Sequence, residues 1–407
     1  MQLNDLNTGL SSLLSVNAPW KILLINTQPK NKVVDIFIGF IRGSEFPCPC
    51  CQKLCKVHDS TEHRIRHLDW FEHRCYLNVR VPRTRCLEHG VKVIDSLPWA
   101  STGGHFSFFF EEKIMRLSLE MSMSAVAKEI GEVDQTLWRI FRHHVANAIK
   151  NQIVLNAVKR ISVDETACKR GHHYITIFTD LDTGNVILVE EGRTKEVFNK
   201  LYNWLLDKGG NPKCIQLFSM DMSKSYQSGR KEYFYHSEVV FDRFHIKKAV
   251  NEALDKVRKA EVTTCEALKK TKYIWLKNEQ NLTKEQKEKL AEFLNDGSYS
   301  TAKGYQLKTS FDLLWRVQSK AIEATLKTWM QEALNCALKP FEYLVAMIER
   351  NYDGIVNSMK TGITNACAEG LNSIVQMAKS RARGFRNIEN FKAMVYCIGN
   401  DFKFEFH

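Results

Sequence analysis

Arg160-Ile161-Ser162-Val163-Asp164-Glu165 is a short run in which branched apolar residues alternate with polar ones before the run ends on carboxylates. Alternation with a period of two is the pattern of a half-buried β-strand. Tyr174-Ile175-Thr176-Ile177-Phe178-Thr179 follows, rich in β-branched and aromatic residues that fit a pleated surface. Asp182-Thr183-Gly184-Asn185 supplies turn residues, and Val186-Ile187-Leu188-Val189 reads as a third strand. A carboxylate at a strand end, on a sheet about to gain a helix and more strands, suits a metal ion. Asp164 is therefore expected to meet two distant carboxylates there.

Downstream, Thr194 to Leu206 has helical amphipathicity and stops near Gly209-Gly210. Cys214 to Met220 reads as a buried strand ending at Asp221, Lys224 to Phe234 as a helix, and Glu238 to Phe241 as a strand closing on Asp242-Arg243-Phe244-His245. The order β-β-β-α-β-α-β is what a ribonuclease-H-like α/β core requires. There the first and fourth strands are neighbours, so Asp164 and Asp221 should end at one edge. Asp180, Asp182 and Asp242 compete with them, and Asp242 with His245 is kept as a secondary pair.

From His245 to about Ser358 the chain is helical and charged, with Trp275, Trp315 and Trp329 as apolar anchors and a capping box at Thr283-Lys284-Glu285-Gln286. This stretch reads as an insertion between the sheet and its last helix, Asn365 to Ser380. Leu371, Ile374, Val375 and Ala378 form an apolar stripe on that helix, with Glu369, Asn372, Gln376 and Lys379 outside it. Packing by the stripe would bring Glu369 from its flank towards the two aspartates. Lys379, Arg381, Arg383 and Arg386 make a basic tail suited to phosphates.

Three carboxylates have a chemical purpose. Phosphodiester cleavage needs an activated water and a stabilised leaving oxygen, and two Mg2+ (or Mn2+) ions about 3.5–4 Å apart provide both through hard oxygen ligands. The same site can activate a DNA 3′-hydroxyl, which turns hydrolysis into strand transfer.

The chain has 407 residues, enough for two or three domains, and a net charge of +12 from 58 Lys and Arg against 46 Asp and Glu. That excess favours a polyanionic partner such as nucleic acid. No apolar run has membrane-spanning length and no signal peptide is visible, so a soluble cytoplasmic protein without a membrane partner is expected. Six of twelve cysteines fall between Cys48 and Cys86. Cys48 and Cys51 have C-x2-C spacing, and Cys86 and His89 repeat it as C-x2-H, so two knuckles can hold tetrahedral Zn2+ in a zinc ribbon. Cys50, Cys55, Cys75, His58 and His73 are rival ligands.

After an apparent linker at Pro98 to Gly104, a helical region runs from Phe106 to Leu119. Ser124 then reads as the N-cap of a short helix stopped by Gly131, and Gln135 to Val145 as a second one. The pair fits a helix-turn-helix, with Gln135, Thr136, Arg139, Arg142 and His143 as candidate contacts to double-stranded DNA. The predicted divisions are 1–97 for N-terminal strands and the zinc module, 98–158 for the helix-turn-helix, 159–249 for the first part of the core, 250–358 for the helical insertion, and 359–407 for the last helix and basic tail.

Cys48-Pro49-Cys50-Cys51, Cys86-Leu87-Glu88-His89-Gly90, Leu97-Pro98-Trp99-Ala100, Val163-Asp164-Glu165, Ser219-Met220-Asp221-Met222, Asp242-Arg243-Phe244-His245, Glu369-Gly370-Leu371-Asn372-Ser373 and Arg381-Ala382-Arg383-Gly384-Phe385 follow one another along the chain. In that order they resemble the DDE transposases of bacterial insertion sequences, of the ISL-three type. The resemblance implies a catalytic triad of Asp164, Asp221 and Glu369 binding Mg2+, and zinc on Cys48, Cys51, Cys86 and His89. It also implies front modules that bind terminal inverted repeats, target DNA as second substrate, a homo-oligomer (a dimer in the synaptic complex), and work at the bacterial nucleoid. A transposase-derived DNA-binding regulator without catalysis is the alternative.

Overall fold

The computed structural model describes residues 9–101, 103–169, 173–363 and 366–406. Of the helix expected over Leu3 to Leu14, residues 9–13 are described and helical; Thr102 of the expected linker and Asn365 lie outside the described residues. The chain forms two compact units, Met1–Ala148 with Phe402–His407, and Ile149–Asp401.

The first unit is built on a six-stranded sheet. Its strands are β1 (Trp20–Gln28), β2 (Val33–Phe40), β3 (Glu45–Pro47), β4 (Leu54–Trp70), β5 (His73–Cys86) and β6 (Gly90–Val93), in the order β1-β2-β5-β4-β3 with β6 on β5. Alternate residues Ile36, Ile38, Leu77, Val79 and Val81 are fully buried, as a one-faced sheet core demands. The stretch read as a linker belongs to that core. Trp99 is 1% exposed, its indole N–H donates to Leu14 O at 2.7 Å, and its ring meets Trp20 at 5.4 Å. Flanking Pro, Ser and Gly gave the segment a loop's composition while Leu97, Trp99 and Ala100 supply the core's apolar volume.

Three helices complete this unit: α1 (Phe108–Glu120), α2 (Met123–Ile130) and α3 (Asp134–Gln152). Ser122, not Ser124, caps α2, its hydroxyl accepting from Ala125 N at 3.3 Å. Gly131 ends α2 in the left-handed region (φ +69°), and a Cβ there would lie 2.6 Å from the Arg74 guanidinium. His144 Nε2 and Glu111 Oε2, 2.7 Å apart, join α3 to α1.

The second unit carries a five-stranded sheet: β7 (Arg160–Lys169), β8 (His173–Asp180), β9 (Val186–Glu191), β10 (Leu217–Met220) and β11 (Glu238–Phe241), in the order β11-β10-β7-β8-β9. The first three pair antiparallel, while β10 runs parallel to both β7 and β11. The strand expected from Cys214 starts only at Leu217. Pro212, which fixes φ and lacks an N–H, opens a 3-10 turn through Cys214 instead. Helices α4 (Glu196–Asp207) and α5 (Lys224–Tyr233) cover the sheet, where Phe178, Phe198, Phe218, Tyr226 and Phe234 interlock.

Between β11 and the last sheet-bound helices lie α6 (Arg243–Val262), α7 (Lys272–Leu276), α8 (Lys284–Asp296), α9 (Ser300–Leu314), α10 (Ile322–Asn335) and α11 (Lys339–Arg350). Both halves of the Thr283–Gln286 capping box form. Trp275 and Trp329 are buried anchors, whereas Trp315 is only half-buried. Then α12 (Tyr352–Thr361) returns to β11, where a Cβ on Gly354 would lie 2.4 Å from the Phe241 ring; only glycine allows that approach. Helices α13 (Ala366–Arg381) and α14 (Ile388–Ile398) close the unit, the Tyr396 hydroxyl accepting from Val189 N at 3.0 Å.

Replacing Trp99 by Ala removes a buried indole from a sheet face and leaves Leu14 O without its donor. The expected cost is about 3–5 kcal/mol of the first unit's stability, read as a fall in denaturant midpoint and faster amide exchange in β2 and β5.

Candidate active site and metal centre

Four side chains gather at one end of the first sheet. Cys48, Cys51, Cys86 and His89 place one ligand atom each within 4.8 Å of one another. A tetrahedral zinc with Zn–S bonds of about 2.3 Å and a Zn–N bond of about 2.0 Å needs S–S edges of about 3.8 Å and S–N edges of about 3.5 Å. The observed separations are 3.8 Å for Cys51 Sγ–Cys86 Sγ, 3.5 Å for Cys86 Sγ–His89 Nδ1, and 3.9 Å for Cys48 Sγ–His89 Nδ1. The donor set and spacing therefore fit zinc.

Local backbone prepares the thiolates. N–H groups of Glu88 and His89 draw the Cys86 thiol down to about 7, and the Cys51 N–H lowers Cys48. The rivals stand outside the quartet: Cys50 is exposed, the Cys55 thiol, beside Cys86, donates to Lys53 O at 3.3 Å, and Cys75 sits in the core with its thiol pushed up to about 12 by burial. His58 and His73 are also outside the cluster.

The second unit assembles its carboxylates through strand register. Ser162 is level with Ser219, and Met220 with Phe241. Counting onward puts Asp164, within β7, level with Asp221 and Asp242, the residues just past the ends of β10 and β11. Residues in such a row share a face of the sheet. Each acid is held by a local donor: Asp164 Oδ1 by Glu165 N at 2.7 Å, Asp221 Oδ1 by Ser223 N at 2.8 Å, and Asp242 Oδ1 by Phe244 N at 3.0 Å as the cap of α6. His245 Nε2 lies 3.9 Å from Asp242 Oδ2.

Burial raises the Asp164 carboxyl above its ordinary value and the charge of Asp242 adds to this, while the Glu165 N–H, His245 and Asn372 oppose it. Glu165 is raised likewise, by burial and then by Asp221, against Arg193 at 3.7 Å. Glu165 feels the charges of Asp221 and Asp164 although, as the next residue of β7, it alternates to the other face of the strand; only its adjacency to Asp164 marked it in the sequence.

Helix α13 meets β7 differently from the amphipathic expectation. Leu371, Val375 and Ala378 are buried, but Ile374 is 44% exposed. The polar flank does the docking. The Asn372 amide donates to Asp164 Oδ2, Gln376 Nε2 to Thr166 Oγ1 at 2.6 Å, and Lys379 Nζ to Ala167 O at 2.6 Å. These partners lie on β7 beyond Ser162, where its pairing with β10 has ended. A ladder at i, i+4 and i+7 turns Ile374 outward. Asn372 is the contact that the sequence reading passed over; its signal was its place one turn after Glu369.

Glu369 is exposed in the first turn of α13. Among the described residues the zinc-type quartet is the one set of three or more ligand side chains drawn within 4.8 Å; Asp164, Asp221 and Glu369 do not form such a set. In the basic tail the Lys379 ammonium is committed to β7, whereas Arg381, Arg383 and Arg386 are exposed. On α3, Gln135, Arg139 and His143 are exposed, and Thr136 and Arg142 half-buried. No helix among the described residues is long and apolar enough to cross a membrane.

Comparison with known proteins gives these features a common class. A family model described as a transposase matches residues 161–395, another for the helix-turn-helix domain of transposase family ISL3 matches 96–145, and a third for the zinc-finger of transposase IS204/IS1001/IS1096/IS1165 matches 44–89. The molecule is a mixed α+β transposase with zinc-finger and helix-turn-helix modules ahead of its DDE domain. The chain belongs to the ISL3 family of insertion-sequence transposases. It is similar to the transposase for insertion sequence element IS1001 of Bordetella parapertussis, 23% identical over 354 residues that cover 84% of this chain and 86% of that protein. It is also similar to the transposase for insertion sequence element IS1557 of Mycobacterium tuberculosis (strain CDC 1551 / Oshkosh), 24% identical over 352 residues, 79% and 78% of the two chains.

Two outcomes follow. Cys86→Ser should lower zinc content, measured by metal analysis, and destabilise the β4–β5 hairpin. Asp164→Asn should raise the melting temperature of the Mg2+-free protein at neutral pH. A carboxyl whose folded pKa is raised binds its proton more tightly in the folded state, so its contribution is most favourable below the unfolded value of about 4 and is lost as pH rises through the folded value. The gain from Asn should therefore shrink towards zero as the scan is repeated below about pH 4.

Proposed function

We propose that the chain binds the terminal inverted repeats of an insertion sequence and catalyses Mg2+-dependent DNA cleavage and strand transfer, with Asp164, Asp221 and Glu369 as the metal-holding triad. The observation that carries this reading is the shared row of Asp164 on β7 and Asp221 at the end of the adjacent β10, with α13 docked on Asp164 through Asn372. The strand order β11-β10-β7-β8-β9, three antiparallel and two parallel, supports a ribonuclease-H-like core, and helices α6 to α11 an insertion within it. The finer division proposed is 1–97, 98–158, 159–249, 250–358 and 359–407.

The acids fit a divalent cation on chemical grounds: they are hard oxygen donors, crowded by like charge and partly buried. When bound, Mg2+ (or Mn2+) supplies Lewis acidity that favours deprotonation of the attacking oxygen and stabilises the departing one. The protein's own groups provide the frame. The Glu165 N–H and the Asn372 amide fix the two oxygens of Asp164, so the carboxylate keeps one orientation. Glu369 stands, exposed, one turn before Asn372 on the same helix. Asp242 and His245 stand at the end of the row, 3.9 Å from one another.

Zn2+ on Cys48, Cys51, Cys86 and His89 is structural, since four protein ligands leave no open position. Gln135, Thr136, Arg139, Arg142 and His143 on α3 read the repeat in the major groove. Arg381, Arg383 and Arg386 hold phosphates, joined by Lys379 only if it leaves Ala167 O. The active form is a homodimer bridging two element ends and target DNA, working in the cytoplasm at the nucleoid.

The test is cleavage of a duplex carrying the inverted repeats that flank the gene. Wild type should nick it only with Mg2+ or Mn2+. Asp164→Ala, Asp221→Ala and Glu369→Ala should each lose roughly 10³-fold or more, as several kcal/mol of metal stabilisation vanish at about 1.4 kcal/mol per tenfold. Asn372→Ala should instead weaken the apparent Mg2+ affinity by about 10- to 100-fold. Metal-dependent nicking that survives Asp164→Ala would remove the triad.

A further inference from the structure

Helix α6 starts on the residue after Asp242, so whatever it displays in its first turns stands beside the carboxylate row. A trough of about 710 Å³ opens along it, walled also by α9 and the segment after α7. Six cations line this trough, Arg243, Lys247, Lys277, Lys287, Lys308 and Arg316, against two acids, Glu279 and Asp312. Two of the six have internal work. Lys247 pairs with Asp312 at 2.6 Å, and buried Lys308 donates to Trp275 O, Leu276 O and Lys277 O at 3.0–3.2 Å, capping the end of α7.

The remaining four are placed without such partners: among the described residues none of Arg243, Lys277, Lys287 and Arg316 has a carboxylate within ion-pair distance. Arg243 is nevertheless fixed, its guanidinium lying 4.6 Å from the centre of the Trp315 ring. Like charges facing one trough repel and lower stability, a cost that a polyanion in the trough relieves. From Arg243 to Lys247 the helix advances about 6 Å, comparable to two nucleotide steps of about 3.4 Å.

We propose that this trough is a further DNA contact, separate from the helix-turn-helix and from the basic tail, which grips the phosphate backbone of the duplex leading away from the carboxylate row. The inference rests on the transposase reading above and adds the surface that carries the DNA past the reaction centre. Recognition is of phosphates, so it is independent of base sequence.

The test uses the full-length zinc-loaded protein without Mg2+ and a fluorescent duplex of about 30 base pairs of arbitrary sequence, with affinity followed against salt concentration. Each phosphate contact contributes about 0.9 to the slope of log K against log salt. The triple variant Lys277→Ala, Lys287→Ala, Arg316→Ala should flatten that slope by about 2 to 3 and leave the melting temperature unchanged or raised. A control triple, Lys303→Ala, Lys327→Ala, Lys339→Ala, removes exposed lysines of neighbouring helices outside the trough and should leave the slope nearly intact. An unchanged slope in the trough variant overturns the proposal. So does an equal loss in the control, which would make the binding diffuse, and so does a lowered melting temperature with no change in slope, which would make the cations structural. If the wild type shows no salt-dependent binding to any duplex, the transposase reading fails first and this contact with it.

Discussion

Like-charged carboxylates held side by side are the constraint around which the second unit is built. Two unit charges 4 Å apart repel by about 4 kcal/mol at an effective dielectric of 20, a large fraction of a domain's stability. Parallel register of β7, β10 and β11 nevertheless lines up Asp164, Asp221 and Asp242. The fold offsets this with a backbone N–H donated to each acid and the Asn372 amide donated to Asp164, and His245 lies 3.9 Å from Asp242. What remains uncompensated is the electrostatic basis for drawing in a cation.

The first unit answers a different problem. Its β4–β5 hairpin is long, and its distal end has little apolar surface to bury, so four metal-type ligands are placed there. Nearer α2 the hairpin is secured by Arg66, 3% exposed, whose guanidinium donates to His67 O at 2.6 Å, to Cys75 O at 3.2 Å and to Asp69, and lies 3.6 Å from Glu132. Glu132 belongs to the turn between α2 and α3, so the same buried cation ties the sheet to that turn. The metal-type quartet and a buried guanidinium thus hold different parts of a narrow element.

Much of this was readable because it follows from local periodicity. Ile161 and Val163, then Ile175 and Ile177, declared β7 and β8 by alternation, and the strand and helix order brought Asp164 beside Asp221. Knuckle spacing pointed to Cys48, Cys51, Cys86 and His89, though only their mutual approach within 4.8 Å in the folded chain set them apart from Cys50, Cys55 and Cys75. Two misreadings share a cause, that composition stands in poorly for environment. Around Trp99 turn-forming neighbours concealed a core segment. On α13 the apolar stripe suggested which face packs, but a polar ladder to the free edge of β7 decides its rotation and leaves Ile374 outside. Non-local hydrogen bonds of that kind have no period to betray them. Glu165 and Asn372 stand in the motifs but received no role for the same reason, since each gains meaning only from partners distant in sequence.

The central claim is that acids far apart in the chain act on one cation site, and a double-mutant cycle on Mn2+ affinity tests it most directly. Calorimetric titration of the zinc-loaded protein would compare wild type, Asp164→Asn, Glu369→Gln and the double variant. Shared coordination predicts strong non-additivity, with a coupling of about 1 kcal/mol or more and a double variant scarcely worse than the weaker single one. Strictly additive effects, or a Glu369→Gln protein that binds Mn2+ as tightly as wild type, would contradict the account.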